Sequence, residues 1–499
     1  MTFSDTADSY SERSFGSATF STFDPQNALH RAAAHALRDR LVAIGFGPQA
    51  AATLFGLSEI ADIQMNRAPY YSAFVLPRND AGQAARFFVL HDSLSESTVR
   101  TLLGDGPADF LKEMAAIVPT GDGWRSVVSI TWFSGRLILA DARAYNLIWP
   151  REPFDDYVMP PGPDSIGLLH VAPRTPRRST VDVCCGAGAQ AIAAAAYSER
   201  VVGVDLNPRA LRFARVNAAI NEIDNVRFVE GDCFEPLGAQ TYDAIIANPP
   251  FVPWPPEDAG LLYRGGGARG DDVIARILAG AIERLHPDGS LTIVADFANS
   301  ESLPARIRSW QGRPRRTLVL LQHAYDVVSY AESHAGHIPP GPERENEVVR
   351  LLKHFRSNGI ASIAFGYIVQ DGMPGAVFQS HTLEPRDRTI ASDVAAFFAH
   401  QRELPENLRS NHILVLAPQL QLIEERMRSA DGGTVSVYEV RPGAHSMLQR
   451  STLTQPSFTT LNRIADGTLR PSDFEGNDFR AVRDLLERGL IRFITSTPP

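Results

Sequence analysis

The chain has 499 residues, 44% hydrophobic and 21% charged, which is a globular composition and too long for one ordinary domain. Its 48 basic and 57 acidic side chains leave a net charge of −9, which excludes a broad basic footprint for duplex nucleic acid but not a local basic groove. No apolar run approaches bilayer length, the first residues lack a basic-then-apolar leader, and three cysteines (Cys184, Cys185, Cys233) cannot pair fully, so a reducing cytoplasm is expected.

Residues 1–22 are rich in Ser, Thr and Asp and read as a disordered tail. Asp24-Pro25 then predicts a helix start, and Leu29, Ala33, Leu37, Leu41 and Ile44 recur at helical spacing up to Gly45. Ser95 opens a short helix closed by Gly104, and another is expected from Pro107 to about Ile117. Residues 126–133 and 136–140, joined by Ser134-Gly135, predict a β-hairpin. Residues 23–150 are therefore expected to form an N-terminal helical, winged-helix-like substrate-recognition or lid domain.

From residue 151 to 372, β-branched runs alternate with helical stretches, the pattern of a parallel sheet with crossover helices. Strands are predicted at 180–184, 201–205, 226–230, 243–247, 290–295, 317–322 and 362–369, the last two as an antiparallel closing pair of a seven-stranded sheet. Helices are expected at 188–198, 208–220, 272–285 and 343–356. Residues 373–499 read as a C-terminal α+β, winged-helix-like domain, with a helix at 391–404 and strands near 412–416 and 433–440.

The stretch Val181-Asp182-Val183-Cys184-Cys185-Gly186-Ala187-Gly188 runs from a buried strand into a glycine turn and a helix, which brings backbone N–H groups close to a ligand. The next strand ends in Asp205, where a carboxylate can accept hydrogen bonds from a ribose diol. Both features suit a nicotinamide dinucleotide as well as S-adenosylmethionine. Three others discriminate. Asp182 ends the first strand, where an amino-acid ammonium could pair with it, although a purely turn-capping carboxylate is the plainer alternative. Asp232 follows the third strand, placed to accept an adenine exocyclic amine. The fourth strand opens into Asn248-Pro249-Pro250-Phe251, which hydride transfer does not explain.

With these segments in place the chain resembles class I S-adenosylmethionine-dependent methyltransferases. Within that class it is similar to the branch of release-factor glutamine, adenine-N6 DNA and ribosomal RNA guanine-N2 enzymes. Gly162-Pro163-Asp164-Ser165 and the glycine-rich run Tyr263-Arg264-Gly265-Gly266-Gly267-Ala268-Arg269-Gly270 look like segments of the glutamine-modifying members. The resemblance implies a Rossmann-like fold and a cofactor set of Asp182, Cys184, Gly186, Ala187, Gly188, Asp205, Leu206, Asp232, Cys233 and Asn248. It implies a catalytic set of Asn248, Pro249, Pro250 and Phe251. No metal is expected, because the 13 histidines show no ligand spacing.

The chemistry of a planar nitrogen explains such a motif. Its lone pair is delocalised, so it attacks poorly. The Asn248 side-chain oxygen and the Pro249 carbonyl can accept its hydrogens at about 3 Å and aim the recovered lone pair at the methyl carbon, with no strong base required. Two prolines stiffen the turn, and Phe251 would offer a stacking face. Trp254 and Tyr263 suit either a substrate pocket or loop packing. The expected acceptor is a nitrogen of a peptide, protein or small metabolite. RNA is the alternative, with Arg174, Arg177, Arg178, Arg264 and Arg269 as a candidate anionic patch. A further alternative is an enzyme of the same fold that cyclises or transfers the aminobutyrate arm of the cofactor.

Overall fold

The computed structural model describes residues 18–142 and 156–375, apart from 58–62, 65–66, 256–261 and positions 263, 314, 337 and 339, together with parts of 378–494. The expected tail over 1–17 and the expected pocket residue Tyr263 lie outside the described residues, as does part of the helix expected at 391–404.

Order begins before Asp24. Thr19 and Phe20 are buried, and the Phe20 ring meets Phe213 edge-on at 5.0 Å. Helix α1 (Ala28–Ala43) is capped by Asn27, whose side chain accepts the N–H groups of Leu29 and His30. Asp24 instead closes the preceding turn on the Gln26 N–H. Helices α2 (Asp80–Phe88), α3 (Glu96–Leu103) and α4 (Asp105–Glu113) follow. Ser95 caps α3 and Gly104 ends it at φ +83°, as the sequence predicts, but α4 stops at Glu113 because Ile117 already belongs to a strand. Two antiparallel hairpins come next, β1 (Ile117–Thr120) with β2 (Gly123–Ser126) and β3 (Val128–Phe133) with β4 (Arg136–Asp141). Ser134 and Gly135 both take positive φ, the geometry of a two-residue hairpin turn.

Helix α5 (Pro163–Val171) leads into the central sheet. Its elements are β5 (Arg177–Val183), α6 (Ala189–Ala194), β6 (Ser198–Asp205), α7 (Pro208–Ile220), β7 (Val226–Glu230), β8 (Tyr242–Ala247), α8 (Asp272–Arg284) and β9 (Leu285–Ala298). Then come α9 (Leu303–Trp310), β10 (Arg315–Asp326), α10 (Val327–His334), α11 (Pro342–Ser357), β11 (Ser362–Pro374) and β12 (Phe378–Thr382). The strand order is β12-β10-β11-β9-β8-β5-β6-β7. Strands β5 to β9 are mutually parallel where they pair, and β11 runs antiparallel to both β9 and β10. The sheet thus has eight strands, which corrects the expected seven. The additional strand, β12, pairs in parallel with the edge of β10, and such a pairing has no local turn signal in the sequence.

Each face of the sheet is covered. On one, Ile274, Ile277 and Leu278 of α8 and Leu303 and Ile307 of α9 pack on Val181, Ile245 and Leu291. On the other, Leu168 and Val171 of α5 and Ala191 of α6 pack with Val294, Tyr367 and Val394. The N-terminal elements share a core with the sheet region, because Leu37, Phe88 and Leu139 belong to the same buried cluster as Ile192, Phe213 and Val216. Asn217 and Asn221 on the α7 side clasp the outer edge of β4. Each side chain accepts from and donates to the backbone, Asn217 at Leu139 and Asn221 at Leu137, at 2.7–2.9 Å. An exposed strand edge is thereby satisfied by side chains instead of another strand. Arg209, 1% exposed, pairs with Asp141 at the end of β4, and removing one partner of such a buried pair costs about 3–5 kcal/mol. The C-terminal region has a core of its own around Val440, Phe458, Leu461 and Ile491. Its strands Leu420–Arg428 and Thr434–Pro442 form an antiparallel pair, and Ile413–Leu416 pairs with Ile491–Ile494.

Candidate functional site

The strand order reverses at β5, between β6 and β8, and a crevice at the carboxyl ends of strands is expected at such a switch point. A cavity of about 430 Å³ lies there. Its walls include Asp182, Cys184, Gly186, Ala187, Asp205, Leu206, Asp232, Cys233, Asn248 and Pro250, so the structure gathers most of the sequence-predicted set in one place. Gly188, Pro249 and Phe251 do not line it.

The glycine loop is built from left-handed residues, with positive φ at Cys184, Gly186 and Gly188. At Gly188 a Cβ would lie 3.0 Å from both Ala214 and the Phe228 ring, so this glycine serves close helix packing. Asp205 shapes the loop from β6, its carboxylate accepting the N–H groups of Gly186 at 2.7 Å and Asn207 at 2.9 Å. Burial pushes the Asp205 carboxyl up, against these two hydrogen bonds. Leu206 beside it is 53% exposed on the cavity wall, an apolar face suited to a flat base.

Asp182 combines both sequence alternatives. One oxygen accepts the Ala191 N–H at 2.9 Å and ties the strand to α6, while the other is buried with no hydrogen-bond partner. Burial, reinforced by Asp205, pushes its carboxyl up to about 8. A buried oxygen lacking a partner is costly unless a ligand supplies one, and an ammonium group at this wall would. Asp232 accepts a hydrogen bond from the half-exposed Arg276 guanidinium of α8, so the carboxylate expected to be free for an adenine amine keeps a single oxygen for it. Cys184 and Cys233 both line the cavity. A hydrogen bond with Cys233 together with burial raises the Cys184 thiol well above its usual range, which suits packing and not nucleophilic chemistry.

Asn248 follows β8. Its Nδ2 donates to Asp164 Oδ2 at 2.7 Å and to Ser165 Oγ at 3.2 Å, both on α5. Ser165 is held in turn by Gln190 of α6, whose Nε2 donates to the Ser165 carbonyl at 2.7 Å. Sequence reasoning gave Asp164 and Ser165 no role, although the family-like segment around them was visible. Beyond the motif, Val252 and Trp254 exchange backbone hydrogen bonds with Arg264, Gly266 and Gly267, which fixes the turn against the glycine-rich run. A Cβ on Gly266 would sit 2.8 Å from the Phe251 Cα, so this approach requires glycine.

Two expectations are corrected here. The Phe251 ring packs between two buried clusters, one around Ile274 and one around Tyr330, and so does not offer the expected stacking face. Among the described residues, the aromatic side chains on the cavity wall are Tyr157 and Trp254, the latter 5% exposed, with the guanidinium groups of Arg264 at 4.6 Å and Arg350 at 5.3 Å over its ring. The candidate anionic patch is not assembled. Arg264 donates to the His334 carbonyl, Arg269 to that of Asn358 and Arg174 to that of Leu169, Arg177 reaches the Asp288 carbonyl and Ser290, and Arg178 faces Asp243. Among the described residues, none before Tyr157 lines the cavity, and the N-terminal elements share a core with the sheet region.

The Methyltransferase small domain family matches residues 165–305. The chain is 36% identical over 182 residues to a release factor glutamine methyltransferase of Deinococcus radiodurans, covering 33% of this chain and 64% of the relative. It is 41% identical over 122 residues to a ribosomal protein uL3 glutamine methyltransferase of Bradyrhizobium diazoefficiens, covering 22% of this chain and 38% of the relative. A protein of Methanocaldococcus jannaschii, provisionally named a protein N5-glutamine methyltransferase, is 30% identical over 149 residues, covering 29% of this chain and 75% of the relative. The chain thus spans less than two thirds of the length of the first two of these. Among the described residues, no helix is long and apolar enough to cross a membrane.

Proposed function

We propose that this chain, which belongs to the S-adenosylmethionine-dependent methyltransferase family that includes the protein N5-glutamine methyltransferases, methylates a side-chain amide nitrogen of a protein. The observation that carries this is the placement of Asn248, whose side-chain oxygen is left for an acceptor because both hydrogens of its Nδ2 have partners in Asp164 and Ser165.

The residues present fit the cofactor. The partnerless oxygen of Asp182 would pair with its ammonium, Asp205 with its ribose diol, and Leu206 with its adenine, while the remaining oxygen of Asp232 would take the adenine amine. When bound, S-adenosylmethionine supplies an electrophilic methyl group on a sulfonium. The protein's part is to hold the acceptor. Asn248 Oδ1, on the cavity wall, accepts an amide hydrogen, draws nitrogen lone-pair density out of the amide plane and orients it. It also stabilises the positive charge that develops on nitrogen before one proton leaves to water. The Pro249 carbonyl, expected to share this role, does not line the cavity and is given no part in it.

The acceptor side of the cavity is walled by Pro160, Pro161, Pro250, Trp254 and Pro255, and its nearby arginines are engaged within the protein. Such a wall suits an uncharged carboxamide on a peptide better than a phosphate-bearing RNA. Incubation with protein extract tests the chemistry. S-adenosylhomocysteine should form in step with label transferred from the cofactor's methyl group. Formation of S-methylthioadenosine, with label transferred from the aminobutyrate arm, would overturn the assignment.

A further inference from the structure

We propose that Asp164, assisted by Ser165, is a positioning residue that sets the polarity of Asn248 and so decides whether this site accepts or repels an N–H acceptor. This rests on the methyl-transfer function proposed above.

A carboxamide has one accepting and one donating end, nearly identical in shape, and its neighbours decide which faces a ligand. Burial pushes the Asp164 carboxyl up, and the hydrogen bond from Asn248 works against that shift. Ionised, Asp164 can only accept, and that leaves one choice. Asp164 Oδ2 lies 2.7 Å and Ser165 Oγ 3.2 Å from Nδ2, and the two contacts use both of its hydrogens. Turning the amide over would set Oδ1 against the Asp164 carboxylate and aim two N–H groups at the cavity, where they would meet the hydrogens of the incoming nitrogen. Among the described residues no donor reaches Oδ1 on the other side, so the oxygen is presented and not consumed.

The supports of this pair are themselves fixed. Ser165 is 7% exposed, and its carbonyl accepts from Gln190 on the helix that follows the glycine loop. The α5 turn therefore links the loop at the end of β5 to the motif at the end of β8, 83 and 84 residues away in sequence from Ser165 and Asp164 respectively. Asp164 touches neither cofactor nor acceptor on this account. It acts through Asn248.

The test compares Asp164→Ala, Asp164→Asn and Ser165→Ala in the full chain. Turnover is measured with methyl-labelled cofactor and wild-type-validated protein acceptor, and cofactor affinity by calorimetry. Asp164→Ala should lower kcat by about 100-fold, the effect of a misplaced reacting group, with cofactor affinity within twofold of wild type. Asp164→Asn keeps an accepting oxygen and should stay within about tenfold of wild type, and Ser165→Ala should fall between wild type and Asp164→Ala. Wild-type turnover in Asp164→Ala, equal losses in the alanine and asparagine variants, or a parallel loss of cofactor affinity would overturn the proposal.

A second measurement needs no acceptor. Hydrogen exchange of the Asn248 side-chain amide, identified by its absence in Asn248→Ala, should be slow in the wild type and at least tenfold faster in Asp164→Ala. Equal exchange overturns the positioning role even if methyl transfer is confirmed. Slow exchange in a protein that transfers no methyl group would instead sink the proposed function and leave the contact standing.

Discussion

The two sides of the cavity treat charge in opposite ways. On the proposed cofactor side three acidic side chains, Asp182, Asp205 and Asp232, face the space, and one keeps a buried oxygen with no partner. On the proposed acceptor side Arg264 and Arg269 are turned onto backbone carbonyls, and prolines and Trp254 line the wall. A cavity with that division is complementary to a cationic, hydroxyl-bearing ligand on one side and to a neutral planar group on the other. The polar atom presented on the neutral side is an oxygen, which selects for a donor of hydrogens.

Substitutions on each side should separate the two. The largest effect is expected for Asn248→Ala. It removes the accepting oxygen and should cost about 10²–10³ in kcat while leaving cofactor affinity nearly intact in calorimetry. A large loss of affinity would merge the two sides. Asp205→Ala should do the reverse, weakening cofactor binding by about 1–3 kcal/mol through lost charge-assisted hydrogen bonds and a loosened glycine loop, and an unchanged titration would contradict it.

Asp182 gives a pH signature. Its folded carboxyl, raised to about 8 by burial, lies above its unfolded value near 4. Its contribution to stability is therefore full below about pH 4 and is lost as pH rises through about 8. Asp182→Asn should flatten the Tm profile of the free protein across that window and still weaken the cofactor. An unaltered slope would mean that the carboxylate has found a partner. The smallest effect is expected for Trp254→Phe. It should cost about 0.5–2 kcal/mol of stability in urea unfolding through weakened cation–π contacts, with cofactor affinity unchanged.

The same contrast explains what could be read from the sequence. The cofactor side is local. A strand, a glycine turn and a carboxylate at the next strand end are contiguous signals, and helices 208–220 and 272–284 begin and end close to where their periodicity predicts. The side around Asn248 is assembled from distant segments, and its deciding contacts join residues 70, 84 and 89 positions apart. An arginine's composition cannot say that a carbonyl will take it, and a motif aromatic cannot say which way its ring turns. For that reason the sequence points Phe251 into the cavity and leaves an anionic patch of arginines open as an alternative. The partnership of Asn217 and Asn221 with β4 was likewise invisible, because asparagines on a helix read as solvent-facing until a strand edge lies against them.

The central claim is tested most directly by locating the transferred methyl group. Wild-type protein, methyl-labelled S-adenosylmethionine and a fractionated extract should yield label in protein, and digestion should place it on the side-chain nitrogen of a glutamine. Label confined to RNA or to small molecules, or no label at all from a protein that binds the cofactor, would contradict the account.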